Sequence, residues 1–207
     1  MCYNFFMKII KNITENEMIA IFLKGELNSE RFDKPIINAL KSYKIDRNIV
    51  DNYDLKDKEE NKLRKQILAD ARGYNNKLLF DGFPKDVKWV RAELTKEDIK
   101  NIKYISYSYW LEISKGSRRV EDAVKTIQSG EEIFGESNDR FLEVAEKIKK
   151  GAKFPELILV SKGDNEDLIV LEGHLRLTAY GLASEFISET IEVIVGFSKD
   201  LDKWGFY

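Results

Sequence analysis

The chain has 207 residues, of which 43% are hydrophobic and 34% are charged, a composition typical of a globular protein with a sizeable core. Lys and Arg number 34 against 36 Asp and Glu, so the formal net charge is −2. This balance argues against a protein that coats DNA or a membrane surface, because such proteins rely on clustered excess positive charge. A local basic groove is still compatible with it.

The chain has one cysteine, Cys2, and one histidine, His174. A single cysteine excludes an intrachain disulfide and a cysteine-based zinc site, and this usage predicts a reducing, cytoplasmic location. A single histidine excludes multi-histidine metal sites. The apolar start at residues 1–12 is too short to span a bilayer and lacks the order of a secretion signal. We therefore predict no membrane partner, and expect this segment to dock on the core as a strand or a helix start.

The N-terminal part of the chain has the patterning of helices. Thr14 and Glu17 have the spacing of a capping box ahead of an apolar stripe. Asn28 or Ser29 is placed to cap a second helix. A third helix covers the highly charged stretch 57–66, whose alternating charges indicate a solvated face rather than a nucleic-acid patch.

The segment 74–117 is ambiguous in secondary structure, because 88–94 and 103–110 fit either extended segments or short helices. Its aromatic residues lie near lysines and arginines, and such an arrangement can stack nucleic-acid bases. Packing in the core is the more common use of such side chains, since they bury much apolar area. These aromatic residues are Tyr104, Tyr107, Tyr109 and Trp110.

The pattern is clearer after residue 117. Helical faces precede glycines at 130 and 151, and two short apolar runs read as a hairpin joined by a polar turn. A helix from Gly173 to about Leu182 and a last strand follow. The three strands are predicted at 157–160, 168–171 and 191–196, with the turn at 162–165. We predict an α+β fold in which a mostly helical N-terminal region, residues 1–114, packs on a small mixed sheet with helices in residues 115–207.

The sharpest local feature is a buried strand that leads through Glu172 and Gly173 into a helix. A helix start offers unpaired N–H groups and the positive end of the helix dipole, which suits an anion. Arg176 can give a forked donor to a phosphate, and His174 can donate or transfer a proton. Glu172 can hold Mg²⁺ or accept a proton. A purely structural use of the same residues is at least as frequent.

The order of helix, helix, strand, turn, strand, EGHLR box, helix and strand resembles the ParB/sulfiredoxin-like superfamily, over roughly residues 115–197. The resemblance implies phosphate-binding roles for Gly173, His174 and Arg176, and an acid or metal-binding role for Glu172. It also places Arg118 and Arg119 near a triphosphate.

The chain departs from each well-defined branch of that superfamily. Sulfiredoxins have a catalytic cysteine where this chain has His174, and free-serine kinases have a second histidine where it has Leu175. Partition proteins carry a helix-turn-helix that the residues after 196 are too few to form.

The resemblance therefore implies a nucleotide-binding protein that takes ATP, ADP or CTP with Mg²⁺. In a phosphotransferase or NTP hydrolase of this kind, Glu172 and His174 would be the catalytic residues. The alternative is a nucleic-acid-associated protein, a nuclease or DNA-binding factor with DNA or RNA as its partner. A third option is an interaction protein that has kept the fold and lost the chemistry.

Overall fold

The computed structural model describes residues 7–27, 29, 32–74, 77–163 and 166–207. Over these residues the chain forms one five-stranded mixed sheet and nine α-helices, which confirms the predicted α+β class. The strands are β1 (Lys8–Asn12), β2 (Lys88–Thr95), β3 (Leu157–Ser161), β4 (Ile169–Glu172) and β5 (Thr190–Phe197). The helices are α1 (Glu15–Leu27), α2 (Asp33–Tyr43), α3 (Asn48–Asp51), α4 (Lys58–Arg72), α5 (Lys96–Ile99), α6 (Ser108–Ile113), α7 (Val120–Gln128), α8 (Asp139–Lys149) and α9 (His174–Leu182).

The strand order in the sheet is β1-β2-β5-β3-β4. Strands β3 and β5 are parallel, and the other neighbouring pairs are antiparallel. A parallel pair needs a crossover, and β4 followed by α9 supplies it between β3 and β5. The predicted hairpin is confirmed, since β3 and β4 pair in antiparallel fashion. Two residues of its turn, Asp164 and Asn165, lie outside the described residues, as does Cys2.

The first hundred residues contribute two strands to this sheet. β1 pairs with β2, and β2 pairs with β5. The segment 88–94 forms a strand because it pairs with both β1 and β5, and Val90, Ala92 and Leu94 are then buried on one face of the sheet. Residues 8–12 form a strand rather than a helix start, at the edge of the sheet, and all five are exposed, so the expectation that they dock on the core is wrong.

Helices cover the sheet on both faces. One core lies between the sheet and α1, α2 and α4, and the other lies between the sheet and the helices that follow β2. Successive residues of β3 alternate between these cores, with Ile158 in the first and Leu159 in the second. Such double burial explains why β3 and β4 read as continuous apolar runs in the sequence.

The helix starts show which capping predictions were right. Thr14 Oγ1 accepts a hydrogen bond from the Glu17 amide at 3.1 Å, so α1 begins where the capping box predicts. The predicted side-chain cap at Ser29 is wrong. The main-chain oxygen of Ser29 accepts from the Asp33 amide at 2.9 Å, and Phe32 is the residue before α2. The alternative cap, Asn28, lies outside the described residues. Within the described part of the chain, every helix is too short or too polar to cross a bilayer.

Candidate functional site

The junction between β4 and α9 is built as the sequence predicts, with Gly173 between the strand and the helix. Gly173 has φ +99°, a conformation that favours glycine. A Cβ at this position would lie 2.7 Å from Leu157 Cδ2 and 2.9 Å from Arg176 Nη2. Glycine is therefore required at position 173 for two reasons, the backbone angle and the close approach of Arg176.

Glu172 and Arg176 form a buried ion pair across one helical turn. Arg176 Nη2 donates a hydrogen bond to Glu172 Oε2, and the two residues are only 8% and 6% exposed. The main-chain amide of Gly173 lies close enough to the Glu172 carboxylate to lower its pKa. Burial raises the pKa of Glu172, while the positive charges of Arg176 and Arg72 oppose the rise. The group that lies against the Arg176 guanidinium is thus the carboxylate of Glu172.

Helix α1 lies directly on this pair at Gly25. A Cβ at position 25 would be 2.8 Å from Glu172 Oε2 and 3.1 Å from Arg176 Nη2. The next residue, Glu26, is buried and forms an ion pair with Arg72 of α4 at 3.5 Å. Two buried or half-buried ion pairs therefore meet where α1, α4, β4 and α9 come together.

Sequence reasoning missed the contribution of α1 and α4. The available signals were a glycine inside a helical pattern, Gly25, and a glutamate on its otherwise apolar surface, Glu26. Both break local rules, since glycine weakens a helix and a carboxylate is rarely buried unless it is paired. A motif search near residue 172 could not connect them to the site.

Two guanidinium groups at this site have unused donors. The Nε atoms of Arg72 and Arg176 are buried and have no hydrogen-bond partner within the described part of the chain. An unsatisfied buried donor is unfavourable by about 1–3 kcal/mol. The Arg72 Nε faces Glu26 Oε1 at 3.5 Å, so the Arg176 Nε–H is the donor with no acceptor beside it among the described residues.

His174 lies in different surroundings from Arg176. Its ring stacks on Trp110 with centroids 5.1 Å apart and planes 25° apart, and it lies 6.3 Å from the Tyr104 ring. Arg176 follows two residues later, about 200° around the helix. The structure therefore brings Glu172, Gly173 and Arg176 together, and places the His174 ring in an aromatic cluster.

The tyrosine-rich segment divides between core and surface. Tyr104 is fully buried, it stacks on Trp110 at 4.4 Å, and its hydroxyl is 2.7 Å from Thr178 Oγ1. Tyr104 therefore has the core-packing role. Tyr107 is 47% exposed.

Arg118 and Arg119 have separate roles. Arg118 donates to three main-chain oxygens, those of Tyr104 at 2.7 Å, Tyr207 at 3.1 Å and Phe206 at 3.3 Å. Burial lowers the pKa of Arg118. Arg119 pairs loosely with Glu121 at 3.7 Å and is partly exposed. Arg118 thus fastens the segment 206–207 to the loop before α6.

The residues present do not fit a protein-bound Mg²⁺ at Glu172. Mg²⁺ needs several oxygen ligands, and no group of three or more His, Cys, Asp or Glu residues among those described is arranged to hold a metal ion. The Glu172 carboxylate faces a guanidinium, whose positive charge would repel the cation.

Comparison of the chain with protein-family models, curated proteins and solved structures finds no match. The resemblance to the ParB/sulfiredoxin-like superfamily therefore stays a prediction from the sequence.

Proposed function

We propose that the protein binds a phosphate-bearing small molecule at the start of α9, and that nucleotides are the first class to test. One observation carries the proposal: Arg176, nine-tenths buried beside the helix start, has an Nε–H donor with no acceptor among the described residues. A phosphate oxygen would satisfy that donor through a charge-assisted hydrogen bond. The N-terminal dipole of α9 adds to the attraction for an anion.

Glu172 defines how such a ligand would bind. The Glu172 carboxylate already accepts a hydrogen bond from Arg176 Nη2 in the first turn of α9. We expect the phosphate to replace Glu172 as the acceptor of Arg176. Burial raises the pKa of Glu172, so we expect the exchange to become easier as the pH falls.

Helix α1 must move when a ligand enters. Gly25 lies against both members of the pair, and the pair is buried beneath it. Binding is therefore expected to require a displacement of the last turn of α1. Hydrogen exchange of the amides in α1 would report such a movement.

The order β3, β4, α9, β5 supports a ParB/sulfiredoxin-like arrangement and with it ATP, ADP or CTP as ligands. Mg²⁺ enters the proposal only as the counter-ion that nucleotides carry in solution. Phosphoryl transfer or NTP hydrolysis belongs to the same proposal as a further step, tested by the release of inorganic phosphate. We assign no position to Arg118 in the site, because its donors are directed at main-chain oxygens.

A thermal-shift panel tests the proposal, with ATP, ADP, CTP, GTP and AMP, each with and without Mg²⁺. The variant is the double substitution Glu172→Gln and Arg176→Gln, which removes both charges together and leaves no lone buried ion. The matched control is Arg47→Gln, since Arg47 pairs with Asp51 at the same i,i+4 spacing but on the surface. A ligand well above its Kd should raise the melting temperature by several degrees. We expect this in the wild type and the control, and not in the double variant.

The nucleic-acid alternative makes a different prediction in the same experiments. Salt-sensitive binding of an oligonucleotide, equal in the wild type and the double variant, would favour that alternative over a phosphate site at α9. Of the tyrosines considered for base stacking, Tyr104 is buried in the core, so the exposed Tyr107 would be the residue to substitute.

A further inference from the structure

We propose that the outer face of α8 binds a second copy of this chain, with the two α8 helices antiparallel across a two-fold axis that passes between Glu146 and Lys147. The inference does not depend on the phosphate site. The observations that carry it are the exposure of this face, the order of its charges and the ion pairs that these charges leave unmade.

Helix α8 is packed on one side only. Phe141, Ala145 and Ile148 are buried against the rest of the protein. The opposite face is exposed, and a groove of about 440 Å³ runs along it. The groove is lined by six exposed side chains of α8 and its C-terminal end: Asp139, Leu142, Glu143, Glu146, Lys147 and Lys150. The face is thus open to solvent along the length of the helix.

The charges on this face change sign at one point. Asp139, Glu143 and Glu146 come first, and Lys147 and Lys150 follow. Glu143 and Glu146 are three residues apart, and so are the two lysines. The dipole of α8 does not account for this order, because Glu146 lies in the last turn of the helix, where a carboxylate is unfavourable.

A two-fold axis makes this pattern self-complementary. An antiparallel copy related by an axis between Glu146 and Lys147 places Glu146 opposite the second copy's Lys147, and Glu143 opposite its Lys150. Each of these contacts occurs twice, because a two-fold interface uses the same surface on both copies. Every central charge of the face therefore meets a charge of opposite sign.

Most of these central charges form no ion pair with the described residues. Glu143 and Lys147 have the i,i+4 spacing of a helical ion pair but form none, and Lys150 also forms none. Glu146 pairs with Lys149 at 2.6 Å, and Lys150 acts on it from a longer distance. The charges of this face are therefore available for pairs with another molecule.

Two exposed apolar side chains lie beside the charged strip. Leu142 lines the groove and is 45% exposed, and Phe186 is 61% exposed. The Phe186 ring lies 5.8 Å from Lys149 Nζ, which places it beside the C-terminal end of α8. Burial of Leu142 and Phe186 against a second copy would provide the apolar part of the interface.

The acidic half of the face argues against an anionic partner. A nucleic acid or an anionic lipid surface can contact Lys147 and Lys150, but Glu143 and the other carboxylates would repel phosphate groups over the rest of the face. Arg140 and Lys149 lie about a quarter turn from the centre of the face, so they do not interrupt the strip. An antiparallel copy satisfies both halves at once.

The test is the oligomeric state of the full chain, measured by sedimentation velocity at concentrations up to about 200 µM, which populates dimers of micromolar Kd. An acidic variant carries Lys147→Glu and Lys150→Glu. A basic variant carries Glu143→Lys and Glu146→Lys. Each variant gives the four central positions of the face a single sign of charge.

The matched control carries Lys58→Glu and Lys62→Glu, the same change of charge at two exposed lysines of α4. Melting temperatures show whether each variant is folded. The decisive sample is an equimolar mixture of the acidic and the basic variant, because every central pair across the axis is then again of opposite sign.

We expect the wild type and the control to dimerise, and each charge-reversed variant alone to have a Kd at least about tenfold higher, because like charges then face each other. The mixture should form a dimer with a Kd within about threefold of the wild-type value. A wild type that stays monomeric at every concentration would overturn the inference. A Kd that is unchanged in both variants would overturn it as well, since the copies would then meet through another surface. A mixture of folded variants that stays monomeric would contradict the antiparallel arrangement and the inference with it.

Discussion

Arg176 Nη2 donates to Glu172 Oε2 across the first turn of α9, and both side chains are buried under the last turn of α1. A buried ion pair contributes little net stability, because the loss of hydration offsets the attraction between the charges. Removing one partner is different, since it leaves a single charge in the interior. Loss of one member of the pair and loss of both members should therefore have different effects on the free energy of unfolding.

The first prediction compares the loss of one charged side chain with the loss of both. Arg176→Ala should lower the free energy of unfolding by about 3–5 kcal/mol, because Glu172 would be left as an uncompensated buried charge. The double substitution Glu172→Gln and Arg176→Gln should lower it much less. Urea denaturation of both variants and the wild type gives these values. Equal losses in the single and the double variant would contradict the account.

The second prediction concerns pH. Burial raises the pKa of Glu172 in the folded state above its ordinary value of about 4.3. The folded protein then binds a proton that the unfolded chain releases, so the stability from Glu172 is present below the ordinary pKa and is lost as the pH rises through the folded pKa. The free energy of unfolding of the wild type, relative to the double glutamine variant, should therefore fall as the pH rises above about 4.3.

The double variant is the control for this pH dependence, because every other titrating group is shared. A relative stability that rises with pH would show that Arg176 lowers the pKa of Glu172 more than burial raises it. That result would contradict the direction we assign.

The third prediction concerns the close approach at Gly173. Gly173→Ala should destabilise the fold by roughly 2–4 kcal/mol, because the left-handed backbone is strained and the added methyl would press on Leu157 and Arg176. Gly130→Ala is the matched control, since Gly130 has φ +79° and no atom within 4 Å of an added Cβ. The control should show the backbone cost alone, about 1–2 kcal/mol. Equal losses of unfolding free energy at both positions would mean that the close packing at Gly173 does not contribute to stability.

The fourth prediction concerns Arg118. Arg118→Ala removes hydrogen bonds to the main-chain oxygens of Tyr104, Phe206 and Tyr207, and should lower the free energy of unfolding by about 2 kcal/mol. The amide of Ser106, which donates to Phe206, should exchange faster. Arg119→Ala, beside it, should stay within about 0.5 kcal/mol. A loss of nucleotide affinity in Arg118→Ala without a loss of stability would assign Arg118 to the ligand instead.

The fifth prediction concerns the buried hydroxyl pair behind the aromatic cluster. Thr178 Oγ1 donates to the His174 carbonyl at 2.9 Å, so its single proton is committed and Tyr104 donates to it. Thr178→Val would leave the Tyr104 hydroxyl in the core without its acceptor, and should lower the free energy of unfolding by about 1–3 kcal/mol. Tyr104→Phe should cost less, about 1 kcal/mol. A double-mutant cycle in urea measures the coupling, and additive single effects would contradict this hydrogen bond.

Much of the second half of the fold was predictable because its signals are local. The apolar runs of β3 and β4, the glycine at position 173 and the helical stripe after it are each readable within a few residues, and the structure confirms the hairpin and α9. The segment 88–94 was ambiguous because only its pairing with β5 decides between a strand and a helix.

The candidate site was only partly predictable. Glu172, Gly173 and Arg176 are adjacent in sequence, and the structure brings them together. The contribution of Gly25 and Arg72 depends on how α1 and α4 pack on the sheet, which no local pattern encodes. The environment of His174 was also hidden, because its aromatic neighbours Tyr104 and Trp110 lie more than sixty residues earlier in the chain.

The most direct test of a phosphate site at the start of α9 is titration calorimetry of ADP into the wild type and into the variant carrying Glu172→Gln and Arg176→Gln. We expect saturable binding by the wild type and an affinity lower by about tenfold or more in the variant, because the proposed phosphate contact of Arg176 is removed. Saturable binding with the same affinity in both proteins would contradict it, because the ligand would then bind without the junction between β4 and α9.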